Sequence, residues 1–175
     1  MLTATPDDAD RIAPVHRLCW HEAYTGLVPQ RCLDDLDKQD RVAVWRRRLE
    51  QAEDSTHVAV QGGRVLGLAT VGPEPARHEP ERQELRSLYV VREAWGRGIG
   101  RLLLGSALDD RPAALWVFEG NQRARQFYAA TGWHETSDRH VDDWTAIPEL
   151  RLIRNAANRN KGWVPLLHLG APVGR

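Results

Sequence analysis

Apolar positions along this chain follow two rhythms, one repeating near every 3.6 residues and one near every second residue, and the switches between them mark the elements. Ile12, Val15, Cys19 and Ala23 keep helical spacing. They follow Thr5-Pro6-Asp7-Asp8, which supplies a cap, a first-turn proline and two acids suited to a helix N-terminus. A short strand over residues 2–5 is expected ahead of them. Residues 24–29, Tyr-Thr-Gly-Leu-Val-Pro, break the helix; residues 41–51 resume the rhythm with Val42, Trp45 and Leu49 on one face. Two or three helices therefore open the domain.

Residues 57–61 and 64–71 are β-type runs around Gly62-Gly63, a pair able to take the positive φ angles of a two-residue hairpin turn. The proline-rich stretch 72–83 reads as a loop, and residues 84–91 as a strand carrying Leu88, Tyr89, Val90 and Val91. Leu102, Leu103, Leu104, Ala107 and Leu108 then suit a helix, and residues 115–118 a strand. Ala124, Phe127, Tyr128 and Thr131 share one helical face, and residues 149–154 close with a strand. The pattern is α/β: a mixed, twisted sheet of six or seven strands flanked by about four helices.

At 175 residues the chain has the length of one domain with a full core. Twenty-four Lys and Arg balance twenty-four Asp and Glu, so no global field draws it to nucleic acid or an anionic membrane. Cys19 and Cys32 form no disulfide framework or metal spacing, and are expected to be reduced. His16, His57, His78, His134, His140 and His168 form no metal-like cluster and are given no role, so no metal is expected. Acids in the first twenty residues argue against a signal peptide, and no stretch reaches membrane-spanning length, so the expected location is the cytoplasm.

Chemistry first shows itself where the strand at 84–91 ends. Trp95-Gly96-Arg97-Gly98-Ile99-Gly100-Arg101 runs straight into the helix at Leu102, and a strand, a glycine loop and a helix in that order suit a phosphate. Free N–H groups of the first helical turn and the positive end of the dipole stabilise an anion, while glycines admit it close to the backbone. Glycines that only permit tight packing are the plain alternative. The NTPase phosphate loop fails at Gly100-Arg101-Leu102, which lacks Lys-Ser/Thr. A dinucleotide fingerprint would need glycine at Arg101 or Leu103, although Glu119 lies at the right distance for a ribose-binding acid.

The segment from Leu115 through Asn121, Ala124, Phe127-Tyr128 and Gly132-Trp133 resembles the second signature of the GNAT acetyltransferases, and the glycine loop resembles the first. The likeness is clearest over residues 84–133 and extends to Trp20, Tyr24, Leu27 and Pro29 in the opening helices. It implies the GNAT fold, a mostly antiparallel sheet that holds acetyl-CoA where central strands part. It implies a function too: transfer of acetyl from acetyl-CoA to a primary amine, here of a small molecule. On residue pattern alone Asn121 is an N-cap, Gly132 a helix stop and Tyr128 a core aromatic. The resemblance makes Tyr128 the general acid for the departing sulfur, and gives Asn121 and the backbone of Leu88, Tyr89 and Val90 to the pantetheine arm. Gly96, Arg97, Gly98, Ile99, Gly100 and Arg101 fall to the pyrophosphate. Glu84, eleven residues before Trp95, is the candidate base, because some members of the family place a catalytic glutamate at that spacing, with a solvated strand-end acid as the plain alternative.

Trp95 departs from the family's usual Gln or Arg, and Arg92 from its usual proline. Trp20, His21, Glu22, Tyr24, Asp142, Asp143 and Trp144 are candidates for flanking an acceptor pocket. Residues 1–154 form the expected domain; Trp163, Val164, Leu166 and Leu167 in the tail 155–175 point to docking on that domain or on a partner subunit in a homodimer. Two rivals stay open: an acyl-CoA-binding module without catalysis, and an enzyme using a dinucleotide or S-adenosylmethionine.

Overall fold

The computed structural model describes residues 1–51, 53–75, 82–108 and 110–156. Its elements are β1 (Leu2–Thr3), α1 (Ala9–Tyr24), α2 (Gln30–Lys38), α3 (Arg41–Glu50), β2 (Ser55–Gln61), β3 (Arg64–Pro73), β4 (Gln83–Val90), α4 (Ile99–Ala107), β5 (Ala113–Phe118), α5 (Gln122–Ala129), β6 (His134–Val141) and β7 (Pro148–Arg154). Among the described residues five α-helices flank the sheet, where about four were expected. The Thr5 amide and hydroxyl both donate to Asp8 Oδ2, at 3.0 and 3.2 Å, and so fix the turn that feeds α1. Gly62 and Gly63, with φ of 56° and 79°, make the β2–β3 hairpin turn that their sequence requires. The tail from residue 157 and the loop at 76–81 lie outside the described residues.

One seven-stranded sheet runs β1-β2-β3-β4-β5-β7-β6. Every pairing is antiparallel except β4 with β5. Strand alternation divides its residues between two helical layers. Val58 and Leu68 pack with Ile12 and Trp45 of α1 and α3. Ala59, Ala69, Leu115, Val117, Leu150 and Leu152 pack on the opposite face with Leu103 of α4 and Tyr128 of α5. The odd neighbours Phe118 and Glu149 therefore lie on the α1–α2 face, where Phe118 joins Val28, Cys32 and Leu33. His16 is buried edge-on to Trp45 and Tyr89, both at 5.2 Å, and burial with Arg41 nearby lowers its pKa to about 3. It is a neutral core side chain.

β6 is the element that the residue rhythm leaves out. Its side chains are almost all exposed, so the sequence His-Glu-Thr-Ser-Asp-Arg-His-Val carries no apolar alternation to announce a strand. It is an edge strand, held through its ladder with β7.

The feature that matters for function is an interruption. β4 and β5 pair only at Gln83 with Ala113 and at Glu84 with Ala114, and beyond these residues the strands part.

Candidate active site

A cavity of about 760 Å³ fills the gap between β4 and β5. Its wall includes Val117 from one sheet face and Trp116, Phe118 and Glu149 from the other, so it passes through the sheet. One end lies against α4 and α5, the other against α1 and β7.

At the first end, Val91 donates its backbone N–H to Leu66 O at 3.0 Å. Because N–H groups alternate sides along a strand, those of Leu88 and Val90 turn away from β3 and into the gap. The glycine loop follows. Gly96 and Gly98 sit at φ of 74° and 78°, Gly98 as the left-handed cap of α4, and a Cβ on either would meet nothing within 4 Å. Open space rules out tight packing as the reason for these two glycines and leaves conformation and access. Gly100 differs: a Cβ there would lie 3.1 Å from the Phe127 ring, so it permits α4 to pack on α5.

Trp95 donates its indole N–H to Val90 O at 2.6 Å. Arg92 and Arg123 lie over its ring at 5.0 and 3.3 Å from the centroid. Both arginines and Trp95 line the cavity. Arg123 makes no ion pair among the described residues, and burial followed by the charge of Arg92 lowers its pKa. Two converging guanidiniums beside a helix N-terminus are arranged for an anion. Arg123 was missed in the sequence; its signal was a basic residue in the first turn of the second signature's helix.

Leu88, Tyr89, Val90, Trp95, Gly96, Gly98, Ile99, Gly100, Arg101, Asn121 and Tyr128 all line the cavity. Arg97 does not, and its guanidinium reaches Gln61 Oε1 at 2.7 Å. Asn121 Oδ1 accepts from Ala124 N at 3.1 Å and so caps α5. Tyr128 is 8% exposed, between Phe127 and Trp133, and burial followed by the nearby Tyr24 raises its hydroxyl pKa. Glu84, expected as the base, is not brought to the cavity: it sits at the closed vertex of the gap, and its Oε2 accepts from Arg86 at 3.0 Å.

At the second end, Tyr24 packs edge-on to Phe118 at 5.2 Å and to Trp20 at 4.7 Å, and Trp144 covers Trp20 at 5.3 Å. Glu22 lines the cavity and accepts from Arg92 N at 2.8 Å. Of the other expected acceptor residues, His21 turns to Asp37 at 3.0 Å, and Asp142 caps the β6–β7 turn by accepting from Thr145. Asp143 is exposed in that turn. Cys19 lines the cavity as a free thiol whose pKa burial, with Glu22, pushes up to about 12; it is not a nucleophile at neutral pH.

The family model for the acetyltransferase (GNAT) family matches residues 8–133, which spans most of the chain, from the residue before α1 to the residue before β6. The chain belongs to the GNAT acetyltransferase family. A relative from Mycobacterium tuberculosis, named a probable N-acetyltransferase, is 31% identical over 150 residues, 81% of this chain and 80% of its own. An N-acetyltransferase of Bacillus subtilis, described as uncharacterized, is 28% identical over 125 residues, 66% of this chain and 69% of its own. The crystal structure of PaiA N-acetyltransferase from Thermoplasma acidophilum in complex with coenzyme A superposes with a TM-score of 0.61. It shares 16% identity and covers 89% of this chain and 99% of that one, a likeness of fold.

Proposed function

We propose that this protein is an acetyl-CoA-dependent N-acetyltransferase that passes the acetyl group directly to the primary amine of a small molecule. The observation that carries the reading is the sheet gap lined by Tyr128 and opened at one end by glycines with free space above them. The N–H groups of Leu88 and Val90 would hold the pantetheine arm, with Asn121 across the gap. The first turn of α4 receives the pyrophosphate, aided by its dipole and by Arg123. An N–H at Val90 polarises the thioester carbonyl where charge develops.

Burial keeps the Tyr128 hydroxyl protonated at neutral pH, so it has a proton to give to the departing sulfur. That the Mycobacterium tuberculosis relative is named an N-acetyltransferase, and that the Thermoplasma acidophilum protein binds coenzyme A, support this reading. So does the balanced charge, which offers no footprint for nucleic acid.

Isothermal titration of the purified protein with acetyl-CoA, a nicotinamide dinucleotide and S-adenosylmethionine tests it. Selective acetyl-CoA binding, followed by release of coenzyme A thiol with small primary amines, is expected. No acetyl-CoA binding overturns the reading; binding without turnover on any amine leaves a non-catalytic acyl-CoA module.

A further inference from the structure

Across its two ladders, Glu149 of β7 lies directly opposite Phe118 of β5 and His140 of β6. Its carboxylate meets His140 Nε2 at 3.1 Å and is 16% exposed on the cavity wall, while the imidazole is 42% exposed. The His140 ring is held edge-on by Trp116 at 4.2 Å. Among the described residues no Lys or Arg pairs with this carboxylate. Arg151, next along the same face of β7, is taken by Glu74 and Asp138, and Arg86 of β4 by Asp54 and Glu84.

We propose that Glu149 binds the ammonium group of an arylalkylamine acceptor and takes its proton, and that His140 relays that proton to solvent. The assignment rests on the acetyl-transfer reading above. The ring-bearing body of the acceptor packs against Tyr24, Trp116 and Phe118, whose faces attract a cation and an aromatic ring alike. The ammonium loses one proton to Glu149. The nitrogen lone pair then forms the bond to the thioester carbon, and the carbon–sulfur bond breaks with its electron pair on sulfur. Tyr128 protonates that sulfur and recovers a proton from the acylated nitrogen, so one proton leaves through Glu149 and His140. An ammonium of pKa about 10 needs such an acceptor at neutral pH.

The groups facing Glu149 are His140, Asp142 of the β6–β7 turn, Glu84 of β4 and Tyr24 of α1. Burial first, then Asp142 and Glu84, raises its pKa to about 7. The carboxylate is the working form, so the rate should rise as pH passes about 7. The same shift works against folding: the ionised group costs stability that is absent below its unfolded pKa and complete above about pH 7.

The test compares the wild type with Glu149→Gln and Glu149→Asp, using phenethylamine and spermidine as acceptors between about pH 6 and about pH 9. The wild type should use phenethylamine at least about tenfold better than spermidine, with a kcat/KM limb near pH 7. Glu149→Gln should lose about 100-fold in kcat/KM together with that limb and bind acetyl-CoA unchanged, while Glu149→Asp keeps the limb. Glu149→Gln should also melt about 2 °C higher than the wild type at about pH 8, showing that the loss is not unfolding. A variant that keeps rate and limb, a preference for spermidine, or no turnover of phenethylamine overturns this assignment alone. Failure of the wild type to bind acetyl-CoA overturns the acetyl-transfer reading and this assignment together.

Discussion

Where α4 begins, the cavity offers peptide N–H groups, open space over Gly96 and Gly98 and the guanidinium of Arg123; where α1 and β7 meet it, it offers aromatic rings and the carboxylates of Glu22 and Glu149. The first end is built mainly from backbone in the run from Leu88 to Arg101, with Asn121, Arg123 and Tyr128 of a second short segment beside it. The second is built from side chains at positions 24, 116, 118, 140 and 149, which only the sheet brings together. Backbone sites tolerate a change of side chain, which is why Trp95 can stand in the glycine loop where the resemblance led us to expect Gln or Arg. A side-chain site has no such tolerance, so each of its members should matter individually. Removing side chains one at a time is therefore the way to break the comparison.

The largest effect is expected where the two ends meet. Tyr128→Phe removes the proton donor and nothing else, and should lower kcat by about 100-fold or more while the Kd for acetyl-CoA moves by less than about twofold. Steady-state kinetics beside titration calorimetry separates the two quantities. A loss carried in Kd instead would make the hydroxyl a binding group. Next comes Gly98→Asp. Asparagine and aspartate tolerate the left-handed conformation, and an acid suits a helix N-terminus, so α4 should survive with little change in Tm. The new carboxylate takes the N–H groups meant for phosphate, and acetyl-CoA binding should weaken about 100-fold, near 2.7 kcal/mol. A variant that binds normally would move the phosphate site away from this helix.

How far these sites could be read beforehand follows the same division. Gly96 and Gly98, Asn121 and Tyr128 lie in two short segments whose spacing is visible in one line of sequence, and the hairpin at Gly62-Gly63 was equally legible. β6 was not legible, because an exposed edge strand has no apolar period. Glu149 was hidden for a different reason. It reads as the first residue of an apolar strand, and its meaning depends on His140 across a polar strand and Phe118 thirty-one positions earlier. Glu84 was legible as an acid on the right strand, with Arg86 two residues on along the same face, but its place at the closed vertex of the gap is a tertiary fact.

Arg123 sharpens the comparison from the cofactor end. Its cation–π contact with Trp95 replaces a carboxylate partner and leaves the charge available to an anion. Arg123→Ala should raise the Kd for acetyl-CoA about tenfold, about 1.4 kcal/mol. Added salt should weaken the wild type more than the variant, because the lost interaction is between charges near the surface. Equal salt dependence would mean that Arg123 only orders the tryptophan.

The smallest effect is the one that tests whether a residue can serve both backbone and ligand. Asn121 Oδ1 caps α5, and the residue lines the cavity, which leaves its amide N–H groups to serve a ligand. Asn121→Ala loses the cap, about 1 kcal/mol, which lowers Tm by about 3 °C in a chain of this size. Asn121→Asp keeps an acceptor for Ala124 N and adds a charge that the helix N-terminus favours, but it has no amide N–H to give. Thermal melts and acetyl-CoA titration on the two variants then divide the roles. If Asp restores Tm while Kd stays about threefold high, Asn121 holds the helix with one atom and the pantetheine with the other. If Asp restores both, the residue is a cap alone, and the cofactor end is held almost wholly by peptide groups, Arg92 and Arg123, which would make the contrast with the side-chain end still sharper.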